Sequence, residues 1–192
     1  MVTWNLSKSL SKPNDPEWEL LTKLALPGDV HSDRKMGFLL SRQSLIDCLK
    51  TQGLEISAGA LLLVGHSQIR DLPQFTISLS HTKTAGAALV ADSKTYRSVG
   101  IDIEQEERIV KDSVKERITH PQDENLRNIE IWCLKEAAFK AMMNTGLFDK
   151  PVEFSSILIS DKRWSHSPSG LEGEWELDFV RPFVVAKAFL KN

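Results

Sequence analysis

Residues 96–104 of this 192-residue chain read YRSVGIDIE, a stretch that predicts both a fold element and a chemistry. Three apolar side chains alternate with Asp102 and Glu104, which is the period of a β-strand with one apolar and one acidic face. Side chains two residues apart on a strand share a face, with α-carbons ~6.5 Å apart, so both carboxylates can converge on one cation. Oxygen ligands of this type suit Mg²⁺ or Mn²⁺. A strand with a solvated polar face is the alternative interpretation.

Further strand-like segments flank this stretch on both sides. Upstream, residues 75–81 alternate apolar with polar side chains, which predicts a half-buried strand, and the small apolar residues 85–91 predict the next strand. Downstream, proline and glycine residues separate three strand-like segments, residues 155–159, 173–179 and 184–190.

Helical periodicity predicts two longer helices. The first is capped by Ser32-Asp33 and stopped by Gly53, and the second has Pro121 in its first turn and ends near Met143. Shorter helices are expected within residues 17–24 and 105–117, whereas residues 56–64 are ambiguous. This order of helices and strands favours an α+β protein with antiparallel sheets over a strictly alternating parallel one.

Composition excludes several classes of protein. Hydrophobic residues at 41% and charged residues at 26% are typical of a globular domain, and a net charge of -2 argues against a general nucleic-acid binder. The longest nearly apolar stretch, residues 56–65, is about half the ~20 residues that span a bilayer, so no membrane segment is expected. Cys48 and Cys133 lack CxxC partners, and the protein is expected to be cytoplasmic with reduced thiols.

Several common catalytic signatures are missing from the sequence. It contains no Gly-Lys dipeptide and therefore no P-loop, and it contains no GxGxxG, GxSxG or HExxH segment. The chemistry must therefore rest on carboxylates, lysines and one histidine.

A second chemical segment lies on the long helix expected before Met143. Trp132, Glu136 and Lys140 follow one another at i, i+4 and i+8, which places them on one stripe of that helix. Glu136 could join the metal site while Lys140 stands one turn away. An exposed Glu–Lys pair is the alternative, and Trp132 is by residue type more often a core residue than a ligand contact.

A third segment, Ser80-His81-Thr82, ends the strand predicted over residues 75–81. Adjacent residues on an extended segment point in opposite directions, so Ser80 and His81 do not form a nucleophile–base pair. Hydroxyls, backbone N–H groups and an imidazole at a strand end could bind a phosphate. A polar turn with an exposed histidine is the alternative.

Together, these three segments resemble the motifs of the 4′-phosphopantetheinyl transferase superfamily. The family pattern is Ser-His-(Ser/Thr), then Gly-(Ile/Val)-Asp-x-Glu, then a helix with Trp-x-x-Lys-Glu-(Ala/Ser)-x-x-Lys. This chain carries Ser80-His81-Thr82, then GIDIE at residues 100–104, then WCLKEAAFK at residues 132–140. The resemblance is specific over about residues 75–145 and weaker over the helix that carries Arg34 and Arg42.

The resemblance implies an activity and an architecture. Members move phosphopantetheine from coenzyme A to a serine of an apo acyl or peptidyl carrier protein. The chain length fits the longer class, which activates polyketide, nonribosomal-peptide and siderophore synthetases. This class implies two similar α+β halves, residues 1–94 with coenzyme phosphate contacts and residues 95–192 with the metal site and catalytic helix. The halves would be related by a pseudo-twofold axis in a monomeric pseudodimer, with the site in the cleft between them.

By resemblance, the second half supplies the metal ligands and the catalytic groups. Asp102, Glu104 and Glu136 would hold Mg²⁺, with Mn²⁺ as the alternative, and the cation would offset their repulsion of the coenzyme's pyrophosphate. Lys140 would neutralise charge on the leaving phosphate, and Glu136 or a metal-bound water would accept the serine proton. Lys135 is assigned no catalytic role and is taken as structural.

The coenzyme contacts are implied less completely. His81 would contact the 3′-phosphate with Ser80 beside it, and the weaker phosphate-binding candidates are Arg34, Lys35 and Arg42. Many relatives carry a Gly-Lys-Pro segment before the Ser-His strand, where this chain reads QIRDLP over residues 68–73. Arg70 could replace the missing positive charge, but no adenine contact is assigned.

Two other functions are compatible with the sequence. One is a coenzyme A-binding protein of the same fold without transfer activity, although pure binding would not need Glu136. The other is an unrelated Mg²⁺-dependent nucleotide hydrolase, which would leave the Ser-His segment unexplained. Weighing an apo carrier protein after incubation with coenzyme A and Mg²⁺ separates the three.

Overall fold

A computed structural model describes residues 1–11, 13–26, 31–65 and 67–192, and the chain divides into two units, Met1–Asp92 and Ser93–Asn192. Each unit combines helices with antiparallel sheets, which confirms the predicted α+β class. Within the described ranges no helix has both the length and the apolar character needed to cross a membrane.

The first unit pairs its first strand with its last. Its elements are β1 (Val2–Ser7), α1 (Pro16–Ala25), α2 (Ser32–Thr51), β2 (Leu63–Val64), β3 (Gln68–Ile69), β4 (Phe75–His81) and β5 (Gly86–Asp92). The main sheet has the order β1-β5-β4, and β2 and β3 form a separate small hairpin. The ambiguous segment, residues 56–64, contains a 3₁₀ turn at Ala58–Ala60 and ends with β2.

Helix α2 begins and ends close to the predicted signals, but with a different cap. Its N-cap is His31, whose ring accepts a hydrogen bond from the Asp33 backbone N–H, so the Ser32-Asp33 cap is wrong by one residue. The helix ends at Thr51, and Gly53 follows with a φ of 80°, a left-handed conformation that glycine adopts without strain.

The strand β4 has the predicted bounds but is buried on both faces. Its apolar face packs on the core that α2 forms with β5, in which Leu45, Leu49 and Val90 are fully buried. Its polar face is buried as well, since Ser78 is 2% and Ser80 is 8% exposed. The prediction that this strand is half-buried is therefore wrong. The alternation shows that one face is apolar and the other polar, but it does not show which face is exposed to solvent.

The second unit also pairs its first strand with its last. Its elements are β6 (Tyr96–Gln105), α3 (Asp112–Ile118), α4 (Asn128–Met143), β7 (Ile157–Ser160), β8 (Arg163–His166), β9 (Leu171–Val180) and β10 (Phe183–Lys191). The five strands form one antiparallel sheet with the order β6-β10-β9-β8-β7. Helix α4 packs on β6 and β10.

Helix α4 begins seven residues later than Pro121 predicts, at Asn128. Its N-terminus is closed by the Glu130 carboxylate, which accepts from Arg127 N at 2.9 Å and from Arg127 Nε at 2.5 Å. The prediction fails because Pro121 lies in a turn, where Asp123 is engaged in tertiary contacts instead of a helical first turn.

Gly100 brings the sheet and α4 into close contact. A Cβ at this position would overlap the backbone carbonyl oxygen of Ala137 and the amide of Ala141. The facing helix residues Ala137, Ala138 and Ala141 are small and completely buried. The acidic face of β6 therefore lies directly under α4, which positions the candidate site.

Candidate active site

Asp102 lies under helix α4 and not in water. It is 6% exposed, and its Oδ1 atom lies 2.7 Å from Lys140 Nζ. The same ammonium donates to the carbonyl oxygen of Ile101 at 3.0 Å. The alternative of a solvated polar strand face is therefore wrong for Asp102, because α4 covers that face.

Glu104 is held by two donors at the edge of the same face. Trp132 Nε1 donates to Glu104 Oε1 at 2.8 Å, and the guanidinium of Arg108 pairs with the same oxygen. The Arg108 guanidinium also lies 5.7 Å from the Trp132 ring centroid. Trp132 is thus both a packing residue and a hydrogen-bond donor to an acidic side chain.

Glu136 lies on α4 within electrostatic reach of this pair. Burial, together with the negative charges of Asp102 and Glu104, raises the pKa of its carboxyl to about 7 against the opposing effects of Lys140 and Arg108. Lys140 makes its ion pair with Asp102, so the exposed Glu136–Lys140 pair considered from the sequence does not describe this stripe. Three carboxylates and one ammonium share one partly buried region between β6 and α4.

The donor set has the chemistry that Mg²⁺ or Mn²⁺ requires, namely several carboxylate oxygens. In the described residues no three His, Cys, Asp or Glu side chains stand close enough to form a ready-made metal site. Asp102 and Glu104 are instead directed toward Lys140, Trp132 and Arg108. After burial, repulsion by Asp102 and Glu104 contributes to the raised pKa of Glu136, and a divalent cation would relieve that repulsion, so the residues fit such an ion in charge and ligand type.

Lys135 points away from this region. It is completely buried, and its Nζ atom lies 2.7 Å from Asp123 Oδ2 and also donates to the carbonyl oxygen of Ile118. Burial lowers the pKa of Lys135, and the charge of Asp123 opposes that effect. The neighbouring residues Lys135 and Glu136 of α4 thus point to different charged surroundings.

A second polar region lies in the first unit, where α2 meets the end of β4. A cavity of about 410 Å³ is lined by His31, Asp33, Arg34, His81, Thr82 and Lys83. A Cβ at Gly37 would overlap the His81 ring and the Thr82 carbonyl, so this glycine permits the helix to lie against the strand end. The structure therefore brings Arg34 and His81 to one cavity.

The other phosphate-binding candidates lie outside the lining of that cavity. Lys35 is exposed on α2. The Arg42 guanidinium lies 3.7 Å from the Phe38 ring centroid and donates to Ser41 Oγ at 3.0 Å, and burial lowers its pKa to about 10. Ser80 is buried in β4 next to the exposed His81.

Residues 98–186 match the family model of the 4′-phosphopantetheinyl transferase superfamily. The matched segment includes Gly100-Ile101-Asp102-Ile103-Glu104 and the Trp132–Lys140 helix, and it confirms the superfamily resemblance there. It begins after the Ser80-His81-Thr82 segment. No curated protein matches the chain.

Within the superfamily segment, the sequence did not predict the side chains that hold the acidic residues in place. The sequence does not predict the ion pair between Arg108 and Glu104. The two residues are four positions apart, which brings side chains together on a helix but not at the end of a strand. Asp123 was missed because its partner, Lys135, is distant in sequence. No local pattern in the sequence indicates either contact.

Proposed function

We propose that this chain transfers the 4′-phosphopantetheine group of coenzyme A to a serine hydroxyl of an apo acyl or peptidyl carrier protein. The observation that carries the proposal is the grouping of Asp102, Glu104, Glu136 and Lys140 between β6 and α4. Acidic groups that repel one another in a partly buried region are typical of functional sites. The superfamily match over the same residues supports this activity.

We propose that Asp102, Glu104 and Glu136 hold Mg²⁺, with Mn²⁺ as the alternative. When bound, the cation would orient the pyrophosphate of coenzyme A and withdraw charge from its β-phosphorus. Trp132 and Arg108 fix the Glu104 carboxylate, so this ligand is positioned before the coenzyme arrives.

The transfer exchanges one phosphorus–oxygen bond for another. The serine oxygen of the carrier protein bonds to the β-phosphorus, the bond from that phosphorus to the bridging oxygen breaks, and 3′,5′-ADP leaves. Glu136, or a water on the metal, is the proposed acceptor of the serine proton. Lys140 neutralises charge on the departing phosphate.

The proposed coenzyme phosphate site is the cavity that Arg34 and His81 line. His81 would contact the 3′-phosphate with Ser80 beside it, and Lys83 adds a second cation to the same lining. Lys35 and Arg42 remain weaker candidates, because neither lines this cavity.

We further propose that the chain belongs to the longer, two-half class and acts as a monomer. Each unit contains a first strand that pairs with the last, β1 with β5 and β6 with β10, and a long helix that packs on both. This repeated topology supports two related halves, residues 1–94 and 95–192. The cytoplasm, a reducing compartment, suits the free thiols of Cys48 and Cys133.

We propose that an acidic carrier protein docks at exposed basic residues on and beside α3. Lys111, Lys115 and Arg117 reach water, and Arg117 also lines a groove of about 510 Å³ whose apolar wall includes Trp132 and Phe154. Basic side chains in this position would attract an acidic partner.

The alternative function is coenzyme A binding without transfer. An apo carrier protein is incubated with this chain, coenzyme A and Mg²⁺ and then weighed by mass spectrometry. A gain of one phosphopantetheine group supports the transferase. Coenzyme binding by calorimetry with no gain in carrier mass, across several acyl and peptidyl carriers, would support the alternative.

A further inference from the structure

Lys135 and Asp123 form an ion pair in the interior of the second unit. The Lys135 side chain is completely buried and the Asp123 side chain is 6% exposed, with 2.7 Å between Nζ and Oδ2. A buried charge that loses its partner is strongly unfavourable, so these two groups are tied to each other.

Asp123 also fixes the loop that precedes α4. Its Oδ2 accepts from the His120 backbone N–H at 2.7 Å, and its Oδ1 accepts from the Ile159 backbone N–H at 3.1 Å. The next residue, Glu124, donates its N–H to the Ile159 carbonyl at 2.7 Å. The loop therefore pairs with the edge of β7 as a short strand would.

Lys135 closes the C-terminal end of α3. Its ammonium donates to the carbonyl oxygen of Ile118, the last residue of that helix. A cation at this end satisfies a free carbonyl and interacts favourably with the helix dipole. One side chain of α4 thus holds α3 and the following loop, and the next residue along α4 is Glu136.

We propose that Lys135 and Asp123 are positioning residues for the carrier protein, because they hold α3 and its basic side chains in a fixed relation to Glu136. The inference rests on the proposed function, since α3 carries Lys115 and Arg117, two of the residues proposed for docking. None of the residues proposed for the coenzyme phosphate takes part in this contact. Loss of the pair should therefore affect the carrier and leave the coenzyme unaffected.

The test compares Lys135→Met with Lys187→Met. Lys187 is the control for a buried lysine of the same unit, since it is 5% exposed and pairs with two more exposed carboxylates of β9, Glu176 at 2.6 Å and Asp178 at 2.8 Å. Hydrogen exchange is followed by mass spectrometry in both variants. In Lys135→Met the amides of α3 should exchange at least about tenfold faster, because one charge-assisted hydrogen bond is lost and Asp123 is left without its partner, whereas α4 and β10 are unchanged.

Steady-state kinetics of carrier modification supply the second measurement. The KM for the carrier should rise about tenfold in Lys135→Met, while kcat and the Kd for coenzyme A stay within about twofold. Lys187→Met should change none of the three. Faster exchange throughout the second unit, or an unchanged carrier KM, would overturn the positioning role.

A folding defect is controlled by the double variant Lys135→Met/Asp123→Asn, which removes both charges and keeps an acceptor oxygen on residue 123. It should fold and show the same selective exchange in α3. If the unmodified chain transfers nothing to any carrier, the proposed function fails on its own. The exchange measurement then still decides whether the pair holds α3, because it needs no activity.

Discussion

The ammonium of Lys140 lies 2.7 Å from Asp102 Oδ1, although 38 residues separate the two in sequence. The contact joins the acidic face of β6 to the helix that carries Glu136. A lysine in this position offsets part of the negative charge, while the pKa of the neighbouring Glu136 carboxyl is still raised to about 7. The two residues thus link the strand motif to the helix motif as one electrostatic unit.

Replacement of Asp102 should abolish transfer without unfolding the protein. Asp102→Asn keeps the side-chain volume but removes a proposed metal ligand, and transfer should fall at least about a hundredfold. The Lys140 side chain remains 26% exposed, so its charge stays partly hydrated and circular dichroism should be unchanged. Asp178→Asn, a strand carboxylate that pairs with Lys187, serves as the control. Near-normal transfer by Asp102→Asn at low Mg²⁺ would contradict the metal assignment.

Replacement of His81 should discriminate between two forms of the coenzyme. If His81 contacts the 3′-phosphate, His81→Ala should weaken coenzyme A binding by roughly ten- to a hundredfold, as for one charge-assisted contact. Binding of 3′-dephospho-coenzyme A should be unchanged. Calorimetry with both ligands is the measurement, and equal losses for the two would identify a structural histidine.

Charge reversal at α3 should slow association with the carrier. In Lys111→Glu/Lys115→Glu the attraction to an acidic carrier is lost, so the rate at low salt should fall and its salt dependence should flatten. Coenzyme A binding should be unaffected. Lys23→Glu/Lys50→Glu, at exposed lysines on α1 and α2, is the matched control. A normal rate at low salt in the α3 variant would place the docking surface elsewhere.

A methyl group at Gly100 should separate β6 from α4. The added Cβ would overlap backbone atoms of Ala137 and Ala141, which cannot rotate away, so Gly100→Ala should lower the free energy of unfolding by at least about 2 kcal/mol. Thermal unfolding measures the loss. Gly59→Ala is the control, since its nearest neighbour is a flexible glutamate side chain at 3.4 Å. Equal melting temperatures for both variants would show that α4 adjusts freely.

The sequence predicts those helices and strands in which the alternation or spacing of apolar residues runs through the whole element. The bounds of β4 agree with the prediction, and β6 ends only one residue later than its alternation indicates. The strand β8 was missed because Arg163–His166 contains one apolar residue. Its turn from β7 uses Asp161 and Lys162 with φ of 46° and 57°, where an Asn-Gly pair would have signalled a hairpin.

The candidate site follows the same rule. The strand spacing of Asp102 and Glu104 and the helix spacing of Glu136 and Lys140 can be read from the sequence. Their partners cannot, because the contacts of Trp132 with Glu104 and of Lys135 with Asp123 depend on how α4 crosses β6 and the loop before it. Tertiary packing brings these pairs together, and the spacing of residues within one helix or strand does not reveal it.

His166 should make the stability of the protein decrease at mildly acidic pH. It is 5% exposed, its Nδ1 atom lies 2.7 Å from Ser169 Oγ, and its ring packs edge-on against Phe148. Burial lowers the pKa of His166 below the value of about 6.5 that an unfolded chain has. As the pH falls below about 6.5 the unfolded chain therefore binds a proton before the folded one does, and the free energy of unfolding decreases. Above that pH both states are neutral and this histidine contributes no pH dependence.

The measurement is urea unfolding of the native chain and of His166→Gln at several pH values between about 5 and 8. The variant should lose less stability on acidification, because it has no imidazole to protonate in the unfolded state. An NMR titration of the His166 ring protons supplies the direct check, with a midpoint below about 6.5. Identical pH slopes for the two proteins, or a midpoint at or above the unfolded value, would show that the His166 site does not disfavour the charged ring.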